Sequence, residues 1–163
     1  MYVDKNDSVI ASGTKQNAME NGIAVRISRV FLINPSGELL IQKRSPKVAL
    51  PYRWDQSAAG HVDEGEDYKT AAYRELKEEM GIDDVTLKFL AKYYTEEHDE
   101  ALAKKRFNML FIGDYQGKVK IDKDEVSAFR WISRDDLRNE MSQSPDKFTE
   151  GFREAFKIFI ANS

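Results

Sequence analysis

Short apolar runs separated by turn-forming residues fill most of the chain, and two stretches repeat at helical spacing. Ile23 to Ile33 is rich in β-branched and other apolar residues and predicts a strand. Asn34-Pro35-Ser36-Gly37 supplies turn dihedrals, so Glu38 to Arg44 predicts the returning strand of a hairpin. Ser45 to Arg53, with Pro46 and Pro51, predicts a loop that leads into a short strand around Trp54 to Ala59. Gly60 to Gly65 predicts a second loop, then a helix over Asp67 to Met80 that Gly81 can end in the left-handed conformation. Val85 to Tyr94 and Arg106 to Tyr115 predict two more strands, joined by the charged stretch Thr95 to Lys105. A turn at Gly117 leads through Val119 to Ile121 into the strand Val126 to Ile132, after which Ser133 is placed to cap a helix. From about Thr149, Phe152, Phe156, Phe159 and Ile160 recur at helical spacing and predict a terminal helix packed on the core. Helices and strands in this order suggest an α/β (α+β) protein with a mixed sheet covered on both faces.

Composition narrows the picture. At 163 residues the chain suits one domain over 1–163, large enough to bury about two thirds of its unfolded surface. The segment 1–21 reads as a polar N-terminal extension or a leading hairpin, without the apolar core of a signal peptide. No run is long enough to span a bilayer, so a cytoplasmic location with no membrane partner is the expectation. A net charge of −3 provides no global basic field and disfavours sequence-independent binding to long nucleic acid. With no cysteine there is no disulfide, thiolate zinc site or cysteine nucleophile.

The acidic helix carries the chemistry. Glu75 lies three residues before Glu78 and four before Glu79, so the three carboxylates project from one side while Ala72, Tyr73, Leu76 and Met80 form a stripe that can pack on a sheet. Like charges at these spacings destabilise an isolated helix by about 0.2–0.5 kcal/mol per pair, which calls for a compensating ligand. Carboxylate oxygens suit Mg²⁺ or Mn²⁺, and Mg²⁺ shares its remaining positions with water and substrate phosphates.

Gly60, Glu66, Arg74, Glu75, Leu76, Glu78, Glu79, Gly81 and Ile82 fill every position of a signature that is similar to that of the Nudix hydrolase family. At average residue frequencies such a match arises on the order of once in a hundred million start positions. The resemblance implies an α/β/α sandwich with the loop-helix signature at 60–82. It also implies a metal-dependent hydrolase that splits a diphosphate linkage in a nucleoside di- or triphosphate derivative by attack of water at phosphorus. Carried over to this sequence, Glu78, Glu79 and the Gly60 carbonyl hold one to three Mg²⁺ or Mn²⁺ ions. Glu75 is a further ligand or the proton acceptor, and Arg74 orients the carboxylates. Glu66, at the helix start, has a structural reading.

Other candidates stand outside the signature. Glu96, Glu97 and Glu100 on the charged stretch, or Glu125 before the Val126 strand, are alternative general bases. Arg44 suits phosphate oxygens, with Arg53 and Lys43 as weaker versions, and Trp54 is either a stacking platform or a core or rim aromatic. His61 follows Gly60 where the isopentenyl diphosphate isomerase branch places a metal-binding histidine; it is also readable as a loop residue near the metal. That isomerase needs a cysteine where Ala59 stands and further histidines where Arg26 and Ser28 stand, and His98 is on the wrong segment. The alternatives are therefore an isomerase-like enzyme, which the sequence disfavours, and a non-catalytic module that binds a nucleotide or RNA end. The expected partner is a small nucleoside diphosphate derivative, with a capped or 5′-phosphorylated RNA end and a homodimer left open.

Overall fold

A computed structural model describes residues 1–99 and 102–163. The elements follow as β1 (Tyr2–Val3), β2 (Val9–Ala11), α1 (Lys15–Glu20), β3 (Ala24–Ile33), β4 (Leu39–Arg44), β5 (Trp54–Asp55), β6 (Ala58–His61), α2 (Tyr68–Met80), β7 (Lys88–Asp99), β8 (Leu102–Asp114), β9 (Val126–Ile132), α3 (Arg134–Gln143) and α4 (Glu150–Asn162). Their caps follow from the sequence. Asp67 accepts from Thr70 N at the start of α2, and Gly81 ends that helix at φ 66°. Ser133 and Thr149 cap α3 and α4 in the same way.

The sheet is mixed. β3 runs parallel to β8 from Val25 to Ile33 and antiparallel to β6 from Ile27 to Val30, while β4 pairs antiparallel with β5 and β9. Alternation sorts its side chains onto two covered faces. Val30, Leu32, Leu40 and Phe111 pack with Ala72, Leu76 and Met80 of α2. Phe31, Leu39, Ile41 and Leu110 pack with Phe152, Phe156 and Phe159 of α4 and with Leu137 of α3. Burying each such aliphatic or aromatic side chain contributes about 1.5–3 kcal/mol. The result is an α/β/α sandwich with a core on each side of the sheet.

One feature of this sheet positions the site. β3 and β4 share only the pair Ile33↔Leu39 and then diverge. Beyond that point Ser57 bridges them, its hydroxyl accepting from Leu32 N at 2.8 Å and donating to Leu40 O at 2.7 Å. The expected hairpin forms at its turn and then opens into a fork, with β6 lining one arm and β5 the other.

Several sequence expectations change. The strand expected over Trp54 to Ala59 is two strands, because buried Gln56 and Ser57 cross the fork. Gly60 and His61 end β6 and do not lie in a loop. Residues 95–99 and 102–105 do not belong to a connecting loop; Lys88–Asp99 and Leu102–Asp114 form a long antiparallel ribbon. Opposite charges face each other across it at Glu96↔Lys105 and Glu97↔Lys104, which stabilises pairing where a charged composition alone suggested coil. The N-terminal segment is a β1–β2 hairpin followed by α1. Buried Asp7 ties it down through Arg26, Lys92 and the Tyr68 hydroxyl. Among the described residues no helix is long and apolar enough to cross a membrane.

Candidate functional site

The fork opens into a cleft of about 610 Å³, reached from the β4 side by Arg44, Arg53 and Glu125 and floored by Gly60, Glu75 and Glu79. Its chemistry begins with the turn geometry of α2. Successive residues are about 100° apart, so Glu79 points inward and Glu78 outward although they are neighbours. Glu78 is 58% exposed and does not line the cleft, whereas the Glu75 side chain is 14% exposed. The expectation of three carboxylates facing the cleft thus holds for Glu75 and Glu79, with Glu78 at the rim.

Glu79 lines the cleft floor, and its Oε2 accepts from Gln42 Nε2 at 2.7 Å. Burial, then the charges of Glu75 and Asp55, hold its proton affinity well above the usual carboxylate range. Glu75 is also raised, by burial, although Arg74 opposes the shift. Its carboxylate lies directly on Gly60. A Cβ at residue 60 would come within 1.9 Å of Glu75 Oε1, so only glycine admits this contact.

Arg74 organises the acidic side. Its Nε and Nη2 donate to the two oxygens of Glu66 at 2.7 and 3.0 Å. Nη1 donates to Glu75 at 2.7 Å and to Glu78 at 3.2 Å, and Nη2 also donates to the His61 carbonyl at 2.9 Å. The fork-on-fork pairing with Glu66 fixes the guanidinium, and through it the carboxylate of Glu75. Glu66 is held below its ordinary range chiefly by its hydrogen bonds from Arg74, so its place is in the support of the site.

Two converging carboxylates with raised proton affinity form a donor set that a hard divalent cation would relieve. Among the described residues no three His, Asp or Glu side chains converge to hold an ion unaided. The residues fit an open site, in which one or two carboxylates share Mg²⁺ with water and substrate oxygens, and do not fit a closed protein cage.

The remaining candidates separate clearly. Arg44 lines the cleft and donates to Asp55 at 3.2 Å and to the Ala49 carbonyl at 2.6 Å. Arg53 and Glu125 also line it. Trp54 is not among the lining residues; it packs on the α4-side core under Arg130, whose guanidinium carbon sits 4.5 Å from the ring centroid, and Lys43 is 5.8 Å from the same ring. This placement accords with the reading of Trp54 as a core or rim aromatic. Glu96 points away and bonds Tyr94 and His98 at 2.9 Å each. Glu97 lines the cleft but is paired with Arg106 at 2.7 Å. Glu100 lies outside the described residues. His61 faces the cleft, its Nε2 buried without a hydrogen-bond partner. Burial, then Lys15, Arg106, the N-terminus and Arg29, push its pKa down to about 4.

Sequence reasoning missed Gln42, Arg29 and Arg106, all of which line the cleft. Arg29 had a signal: a charge within the apolar run Val25 to Ile33 breaks the expectation for a strand buried on both faces.

A family model described as the NUDIX domain matches residues 24–152. The chain belongs to the Nudix family. Within that family it is 33% identical over 154 residues to isopentenyl-diphosphate Delta-isomerase 2 of Photorhabdus laumondii, covering 94% of this chain and 87% of the relative. It is 31% identical over 144 residues to an uncharacterized Nudix hydrolase of Pseudomonas aeruginosa, covering 88% and 82%. A crystal structure from Deinococcus radiodurans shares the fold with a TM-score of 0.72 at 23% identity, covering 87% of each chain. The Nudix signature from Gly60 to Ile82 is the segment that builds the floor of the cleft.

Proposed function

We propose that this Nudix protein is a divalent-metal-dependent pyrophosphohydrolase acting on a nucleoside diphosphate or triphosphate derivative. The observation that carries the reading is the Glu75–Glu79 pair on the floor of a cleft whose β4-side wall presents Arg44 and Arg53. A pyrophosphate resists water because its oxygens repel a nucleophile and its leaving group is poor; a bound divalent cation lowers both barriers. Glu75, Glu79 and the Gly60 carbonyl would hold the cation, with Glu78 reaching it from the rim. Arg44 and Arg53 would neutralise the phosphate oxygens on the opposite wall. Glu75, whose proton affinity is raised, suits the role of accepting a proton from the attacking water. Glu125 is the alternative acceptor from the β4 side.

The test is phosphate release from a panel of nucleoside diphosphate derivatives with Mg²⁺ and with EDTA, on the native protein and on Glu79→Gln. Metal-dependent turnover that the substitution abolishes supports the reading. Metal-independent turnover, or none on any member, overturns it.

A second reading rests on the relative named as an isopentenyl-diphosphate isomerase. Against it, Ala59 stands where that branch of the resemblance needs cysteine. The positions of its further histidines are filled by Arg26, paired with Asp7, and Ser28, whose hydroxyl bonds the Tyr68 carbonyl. Incubation with isopentenyl diphosphate should give no isomer. A pure binding module is disfavoured by the unfavourable burial of Glu75 and Glu79, which gives a binder no advantage.

A further inference from the structure

The cleft has a second wall that the proposed hydrolysis does not use. On the sheet face opposite α2, strand alternation places Arg29 of β3, His61 of β6 and Arg106 of β8 side by side, with Lys15 of α1 and Lys104 completing the rim. This patch lies between α1, whose Ala18 packs with Val25 and Ile27, and the N-terminal end of α4. A small hollow beside it is lined by Lys15, Met19, His61, Lys104 and Arg106, all of which also line the cleft.

Its cations exceed its anions. Lys15, Arg29, Lys104 and Arg106 face two carboxylates, Glu97 bound to Arg106 and Glu150 at the start of α4. Among the described residues neither Lys15 nor Arg29 has a carboxylate within 4.0 Å. Arg29 is only 6% exposed and is fixed by neutral partners, donating from Nε to Asn108 Oδ1 at 2.8 Å and from Nη1 to Gln56 Oε1 at 3.3 Å. A Cβ at Gly151 would lie 2.6 Å from its Nη2, so the guanidinium is pressed against the first turn of α4. A guanidinium buried without a counter-ion is costly, and an anion entering from the cleft would supply the missing partner. The nearby His61 Nε2 is likewise buried and unpaired. Surrounded by cations, that imidazole is poorly placed to hold a metal ion and well placed to meet an anion.

We infer that Lys15, Arg29, Arg106 and His61 form a phosphoryl-binding subsite that takes a second anionic group of the substrate, separate from the pyrophosphate at Glu75 and Glu79. This deepens the reading as a pyrophosphohydrolase and rests on it for the word substrate. The substrate class it implies is a pyrophosphate compound bearing a further phosphate. The subsite itself requires neither metal nor turnover.

The test uses inorganic phosphate as the probe, added to the full chain in EDTA at fixed pH. The readout is the two imidazole resonances, because His61 and His98 are the only histidines. Saturable movement of the His61 signal is expected while His98 stays in place, with citrate at equal ionic strength giving no such saturation. Arg106→Gln and Lys15→Gln should each weaken the response at least about fivefold, and Glu79→Gln should leave it intact. Circular dichroism checks that each variant is folded. No movement of His61, equal movement of both histidines, saturation by citrate as well, or a response unchanged in both cation variants overturns the subsite. A response that survives in a protein with no hydrolase activity leaves the subsite standing and removes only the catalytic reading.

Discussion

The backbone of Gly60 and the carboxylate of Glu75 are in direct contact: a methyl group on residue 60 would sit 1.9 Å from Glu75 Oε1. Gly60→Ala is therefore expected to displace the carboxylate from the cleft floor. Hydrolytic kcat/KM should fall by about a hundredfold or more, since small misplacements of catalytic groups have effects of that size. The fold should survive, because Glu75 can swing into the open cleft; steady-state kinetics beside a thermal melt checks both halves.

Arg74 joins Glu66, Glu75, Glu78 and the His61 carbonyl through one guanidinium. Arg74→Lys keeps the charge but cannot reproduce the fork, so it should cost about 2 kcal/mol and most of the activity. The side chain is 26% exposed, which keeps the figure below that of a fully buried pair. Urea unfolding of the two proteins measures it, and a loss below about 0.5 kcal/mol would contradict the role.

Glu79 gives a pH dependence of defined sign. Its folded pKa lies well above the ordinary value of 4.5, so the native state binds its proton more tightly than the unfolded chain does. In EDTA this contribution to stability is present below pH 4.5 and is lost as pH rises through the folded value. Glu79→Gln should flatten that decline and raise the melting temperature at neutral pH. Saturating Mg²⁺ should stabilise the native protein at neutral pH and leave the variant nearly unchanged. Melting curves across pH, with and without the ion, decide between this and a site that ignores metal.

His61 has the opposite sign. Its pKa is about 4 in the folded protein against an ordinary 6.5, so the unfolded chain binds the proton more tightly and stability rises with pH across that interval. His61→Gln should remove this slope between about pH 4 and 6.5. An unchanged slope would show that the imidazole is solvated.

Much of the site was legible before folding. Gly81 ends α2 where the sequence places its left-handed stop, the start differs from the expected Asp67 by one residue because Asp67 caps the helix, and 3.6-residue spacing alone puts Ala72, Leu76 and Met80 on the packed face. Ser133 and Thr149 likewise start α3 and α4, because a side-chain cap is a local interaction. The ribbon of Lys88–Asp99 and Leu102–Asp114 was not legible in full, since its charged residues are stabilised by cross-strand partners that composition does not reveal.

The sequence by itself determined the family signature, the helix that carries it, and the alternating strands that make a two-faced sheet, all of which depend on neighbours close along the chain. Only the tertiary structure decided that Glu78 turns outward, that Trp54 belongs to the rim, and that Arg29 and Arg106 share a wall with His61. Those relationships join residues up to 77 positions apart, as between Arg29 and Arg106. They depend on the parallel register of β3 against β8 and on the fork between β3 and β4, which spacing along the chain cannot specify.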